Sequence, residues 1–316
     1  MRIVRDDDGA MTEPIIDVHL HASPAHDLGP PPLAFDLPVT DQVVHDPAEA
    51  YLERFARSFR DPQGDRATWS PMTDEELRDK TLEIMARRNI VGVLSGTEDG
   101  VAEWRRLAPD RVIPGRVMAI GRDDRLSPDD VRRLHAAGQL QVLGEVLNQY
   151  YGVAPDDPRF EPFLAVCEEL DIPIGIHVGL GPPGAPYLPG FGAYRARLHS
   201  PMLLEEPLLR HPRLRLYVMH AGWPMLDDML AMLWAHPQLH VDTGVIDFAL
   251  PRPEFHRYLR TLVEAGFTNR IMFGSDNMVW PGSIEYAIES IEIADFLTDA
   301  QKRAILHGNA ARFLRL

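Results

Sequence analysis

The chain has a single cysteine, Cys167, so no disulfide can form within it, a usage that fits a reducing compartment. Cys167 lies on the apolar side of a helical pattern and reads as a buried, inert thiol. No uninterrupted apolar run reaches the roughly 18 residues of a membrane-spanning helix. Residues 1–14 include basic side chains with no apolar stretch after them, unlike a secretory signal. We read them as an N-terminal extension and expect a cytoplasmic protein. Positive charge is scarce: 32 Lys and Arg face 47 Asp and Glu, a net charge of −15. Phosphate backbones and anionic membranes are met by clustered Lys and Arg, so neither nucleic acid nor a membrane is expected as a partner. Glycine-rich phosphate cradles are missing as well. No G-x-G-x-x-G or P-loop occurs, and the glycines of 181–192 are interleaved with prolines, as in a shaped loop.

Against these absences stands one stretch, IIDVHLH at 15–21. In a strand, successive side chains alternate between faces. Ile16, Val18 and Leu20 then share one face, and Asp17, His19 and His21 share the other. Imidazole is the commonest metal-ligating side chain, and His-x-His at a strand's end aims two of them at one point.

Apolar runs at 90–95, 112–120, 141–147, 173–178, 214–219, 239–243 and 270–273 read as seven further strands. Helical patterns separate nearly all of them. Thr73–Glu76 reads as a capping box, Ser127-Pro128 as an N-cap with proline at the first helical position, and Thr298–Gln301 as the cap of a closing helix. Eight such units predict an α/β fold, a (β/α)8 TIM barrel forming a single domain over 1–316. The runner-up, an open doubly wound sheet, needs the phosphate turn that is missing. Residues 26–70 hold many prolines and a helical spacing of Tyr51, Leu52, Phe55 and Phe59. They read as a long insertion expected over the barrel mouth.

In such a barrel the active site lies at the C-terminal ends of the strands. Those ends deliver His19 and His21 from the first strand, Glu145 from the fourth, His177 from the fifth, His220 from the sixth and Asp276 from the eighth. Each sits in or closes an apolar strand, where an unpaired polar group is costly. Singly, each has a bland reading as a hydrogen-bonded rim residue, a salt-bridge partner or an N-cap. As a set they predict a divalent metal, with nitrogen and oxygen ligands that suit zinc, manganese or iron. His240 and Asp242 share a face of the seventh strand, and we read both as structural.

These motifs, in this order, resemble the amidohydrolase superfamily, specifically the amidohydrolase-related branch of small-molecule hydrolases, lactonases and non-oxidative decarboxylases. The resemblance runs from Ile15 to Leu316. It rests on Asp17–His21, Ile176-His177, Met219–Gly222, Phe273–Asp276 and the closing segment His307–Leu314. It implies that His19, His21, His177 and Asp276 hold one divalent metal, usually zinc. It also implies that Asp276 takes a proton from water, and that His220 polarises the substrate or ligates a second metal. The fourth strand departs from the pattern, since it has no lysine to carbamylate. Glu145 would bridge two metals instead, or stand behind a single one. A homodimer is implied by resemblance only.

The first expectation is metal-dependent hydrolysis of an ester, lactone or amide bond of a small molecule. The alternative is metal-dependent non-oxidative decarboxylation of an aromatic or unsaturated acid, a lyase reaction. A catalytically dead scaffold is the third reading, disfavoured because every ligand type is present. Arg195 and Arg197 are candidates to clamp a substrate carboxylate, and Trp223 and Trp280 to wall an apolar pocket. Asn148, Tyr150 and Tyr151 rank below them.

Overall fold

The computed structural model describes residues 13–39, 44–64, 66–121, 126–179 and 181–316. Of the extension read at 1–14, residues 1–12 therefore lie outside the described residues. In chain order, β1 (Ile15–Ala22) is followed by β2 (Ala34–Asp36), α1 (Tyr51–Ser58) and β3 (Ala67–Trp69). Next come α2 (Asp74–Arg87), β4 (Ile90–Gly96), α3 (Glu98–Leu107), β5 (Val112–Met118), α4 (Pro128–Ala136), β6 (Val142–Val146), α5 (Glu161–Glu169) and β7 (Ile174–His177). The last part holds α6 (Glu205–Arg210), β8 (Leu216–Met219), α7 (Leu226–Ala235), β9 (His240–Asp242), α8 (Ile246–Ala249) and α9 (Arg252–Glu264). It ends with β10 (Ile271–Met272), α10 (Gly282–Glu292), α11 (Asp299–Arg303) and α12 (Asn309–Leu314).

Eight strands form one parallel sheet in the order β1-β4-β5-β6-β7-β8-β9-β10. The ring is completed where the Val18 N–H donates to Phe273 O at 3.0 Å and the Asp276 N–H donates to His19 O at 2.7 Å. This is the TIM barrel the alternation predicts. Ile16, Val18, Val93, Ile113, Val142, Tyr217, Met219 and Met272 form one buried cluster. They come from six strands around the ring, and only the barrel interior brings such residues together. β7 contributes Gly175, because Tyr217 and Met219 fill the space its side chain would take.

The strict alternation read for β1 does not hold to its end. Ile16 and Val18 belong to the interior cluster, whereas Leu20 packs in the outer core between barrel and helices. The pairing of β1 with β4 shifts register between Asp17 and Leu20. A bulge re-aims the side chains that follow it, and here it turns His19 and His21 inward above the apolar interior.

The helix caps follow local chemistry. Ser127 and Asp130 form a reciprocal capping box at α4, as do Thr298 and Gln301 at α11. At α2 only half of the predicted box forms. Thr73 accepts from the Glu76 N–H, but the Glu76 carboxylate accepts from Met72. Helix α10 was not anticipated from the sequence; burial of Ile284, Ala287, Ile288 and Ile291 forms it. No described helix is long and apolar enough to cross a membrane.

The insertion is tied to loops at the C-terminal ends of the barrel strands. Its β2 and β3 pair antiparallel. Trp280, which follows β10, donates its indole N–H to Leu33 O at 2.9 Å. Its ring stacks on Phe59 at 5.6 Å and meets Phe35 at 4.8 Å. Val39 donates to Ala249 O, and the Tyr51 hydroxyl donates to Pro183 O.

Candidate metal centre

The six residues singled out at the strand ends lie together, all buried. Glu145 is the hub. Its Oε2 lies 3.7 Å from His19 Nε2 and 3.5 Å from His21 Nε2. Asp276 Oδ1 faces the same two nitrogens, at 3.6 Å and 3.0 Å. Its other oxygen, Glu145 Oε1, lies 2.5 Å from His177 Nδ1 and 3.4 Å from His220 Nε2. Those two imidazoles approach each other at 2.9 Å. His19, His21 and Asp276 thus gather on one oxygen of Glu145, while His177, expected in the same ligand set, faces the other oxygen beside His220.

Two backbone conformations support this geometry. His220 and Asp276 both have left-handed φ, +61° and +50°. Such conformations cost non-glycine residues of order 1 kcal/mol or more and gather at functional sites. Hydrogen bonds hold both in place. The His220 N–H donates to Asp242 Oδ1 at 2.8 Å, and the Asp276 N–H donates to His19 O.

Asp242, assigned only a structural part from the sequence, proves to organise the site. Its Oδ2 lies 3.0 Å from His19 Nδ1, while its Oδ1 also accepts from the Gly244 N–H at 2.9 Å. With Nδ1 bonded to a carboxylate, the proton of neutral His19 sits there and Nε2 presents a lone pair. Gly244 and Gly274 leave room for this ring: a side chain at either would come within 2.6 Å of His19 Nδ1 or 2.8 Å of its Cβ. The signal for Asp242 was the one used for the other strand ends, an acid closing an apolar strand. Gln149 also went unremarked; its amide donates to His177 O at 2.5 Å.

The electrostatics favour a cation. Burial opposes a charge on His19, but the carboxylates of Asp276 and Asp242 outweigh it and hold the imidazole well above its ordinary range. Burial, aided by the nearby His220, holds His177 below its own, which favours the neutral, ligating form. Burial raises Asp276, yet His19 and His21 bring it below the usual carboxylate range. Nε2 of His19, of His21 and of His177 has no hydrogen-bond partner among the described residues despite being buried. Unpaired buried nitrogens are costly, and those of His19 and His21, each facing both Glu145 and Asp276, fit a divalent metal. Two triads have ligand atoms close enough to share an ion through Glu145: His19, His21 and Glu145, and Glu145, His177 and His220.

The substrate candidates are placed differently. Arg195 and Arg197 are exposed, and the Arg195 guanidinium donates to Gly192 O and Tyr194 O within its own loop. Trp223 is half-buried and donates to Glu254. Trp280 is 1% exposed and packs with Ala25, Leu33, Leu77 and Val279, so it anchors the insertion rather than walling a pocket.

Residues 16–316 match a protein family described as amidohydrolase. Among curated proteins, the chain is similar to gamma-resorcylate decarboxylase from Rhodococcus jostii, 26% identical over 74% of this chain and 79% of that protein. Among solved structures, 5-carboxyvanillate decarboxylase from Sphingomonas paucimobilis superimposes with a TM-score of 0.58 at 15% identity, covering 96% of this chain and 100% of that one. A probable 2-pyrone-4,6-dicarboxylic acid hydrolase from Acinetobacter baumannii gives 0.56 at 15% identity, covering 96% and 99%. At such identities these two structures report the fold.

Proposed function

Because the chain belongs to the amidohydrolase family, we propose that it is a metal-dependent enzyme that removes carbon dioxide from an aromatic hydroxy acid without oxidation. The sequence reading put hydrolysis first. The similarity to gamma-resorcylate decarboxylase supports the reverse order and is the observation that carries this reading. His19, His21, Glu145 and Asp276 would hold the ion, with His177 on the far oxygen of Glu145. A divalent ion there supplies positive charge that binds and orients a substrate carboxylate.

Within the chain, His220 suits the proton transfer such a reaction needs. Its Nδ1 lies 2.9 Å from Gly244 O. A carbonyl only accepts, so Nδ1 carries a proton and Nε2 is the nitrogen left to gain and release another. Burial opposes the charged form, but Glu145 and Asp276 outweigh it and hold His220 above its ordinary value, a condition suited to a proton donor. The proton from Nε2 goes to the ring carbon, whose bond to the carboxylate breaks as carbon dioxide leaves.

Hydrolysis of an ester, lactone or amide is the second reading, and Asp276 favours it. A buried carboxylate kept ionised by His19 and His21 can take a proton from an attacking water. The two reactions are separated by incubating 2,6-dihydroxybenzoate (gamma-resorcylate), lactones and esters in water enriched in deuterium and heavy oxygen. Decarboxylation predicts carbon dioxide release and deuterium at the vacated carbon. Heavy oxygen entering a new carboxylate from a lactone or ester, with the aromatic acid untouched, would overturn the proposal.

A further inference from the structure

One side of the cluster holds polar groups whose hydrogen-bonding capacity the site described above leaves unspent. Tyr150 follows β6 in a short helical turn, Asn148–Tyr151, and its ring meets His177 edge-on at 4.8 Å. No described residue accepts a hydrogen bond from its hydroxyl, while the residue is only 9% exposed. Tyr194, alongside at 5.6 Å, differs: its hydroxyl already accepts from the Gly181 N–H at 3.0 Å. Behind them lies His199, fully buried. Its ring lies 5.5 Å from His177 and 5.7 Å from Tyr150. Neither of its nitrogens has a hydrogen-bond partner among the described residues. A merely packed aromatic core would not retain unpaired polar atoms at this cost.

We propose that Tyr150 is a substrate-binding residue, whose hydroxyl donates a hydrogen bond to an oxygen of the aromatic acid held beside His177. The inference rests on the aromatic-acid reading above. A phenol is protonated at neutral pH and therefore donates. The cluster's own side chains facing that side are carboxylates and imidazoles, so an anionic substrate needs a neutral donor there. The T-shaped contact with His177 fixes the direction of the ring.

The test is titration calorimetry of the full-length protein, in its as-purified metal state, with 2,6-dihydroxybenzoate and with benzoate. Wild type is compared with Tyr150→Phe and Tyr194→Phe, and metal content and thermal midpoint are checked for each. Tyr150→Phe keeps the ring contacts and removes only the hydroxyl. A hydrogen bond to a charged oxygen predicts a dissociation constant raised roughly 10- to 100-fold, with Tyr194→Phe unchanged and metal content equal in all three. Tyr150→Phe binding as tightly as wild type would overturn the inference and leave the aromatic-acid reading standing. Equal weakening by both variants would overturn it too, since it would mark a shared packing role. If wild type binds neither acid, the aromatic-acid reading fails and the inference with it.

Discussion

Replacing Asp242 by asparagine should weaken metal binding while leaving the barrel folded. Asp242 accepts three hydrogen bonds, from His19 Nδ1 at 3.0 Å, the His220 N–H at 2.8 Å and the Gly244 N–H at 2.9 Å. In Asp242→Asn the amide oxygen can still accept from the two backbone groups. The amide nitrogen then faces His19 Nδ1 and must donate to it. That places the His19 proton on Nε2, the atom facing Glu145 and Asp276, and an ion there has to reverse the tautomer to bind. Loss of such a carboxylate partner costs about 10- to 100-fold in metal affinity, equivalent to about 1.4–2.7 kcal/mol. Asp242→Ala is the less informative variant, because it strands three donors at about 1–3 kcal/mol each and threatens the fold. The assay is zinc affinity by competition with a chelating dye, with the thermal midpoint of the metal-free protein as control. An Asp242→Asn affinity within twofold of wild type would refute the link from Asp242 through His19 to the ion.

Three further outcomes are expected. His177→Ala lowers metal occupancy, whereas His220→Ala lowers turnover and leaves the ion between His19 and Asp276 in place; elemental analysis of both decides, and loss of one of two ions in His220→Ala would establish a two-metal site instead. Trp280→Ala, which empties a fully packed indole position and frees Leu33 O, costs about 3–5 kcal/mol of stability, read as a lower midpoint in chemical denaturation. Burial holds His240 down to about 4, so below its ordinary 6.5 the unfolded chain binds a proton that the folded one refuses. Its share of stability is present above pH 6.5 and falls away toward pH 4, by up to about 3 kcal/mol. His240→Asn flattens that acid loss in thermal melts, and an unchanged slope would contradict it.

The barrel was legible because each strand announced itself as an apolar run between capped helices, and eight repeats leave few topologies. The strand-end residues were legible for the same reason: His177 or Glu145 inside an apolar run is conspicuous. The bulge in β1 was not, because a register shift between Asp17 and Leu20 leaves no trace in a pattern that alternates cleanly. The part played by Asp242 depends on where β9 lies relative to β1, a contact across more than two hundred residues. Trp280 and Arg195 show the limit of reading by proximity in sequence. Both follow site residues or lie on a site loop, yet Trp280 turns to the insertion and Arg195 to its own loop carbonyls. Helix α10, which starts at the weak helix former Gly282, forms through burial of its apolar residues, where tertiary contacts override local propensity.

The account stands most directly on whether these side chains share an ion. Crystals of zinc-loaded protein, measured on both sides of the zinc absorption edge, give that answer. The prediction is an anomalous peak bonded to Nε2 of His19 and His21, at zinc–nitrogen distances of about 2.0–2.1 Å, with oxygens of Asp276 and Glu145 completing the shell. Zinc bound elsewhere on the protein, with His19, His21 and Asp276 free of it, would contradict the central claim.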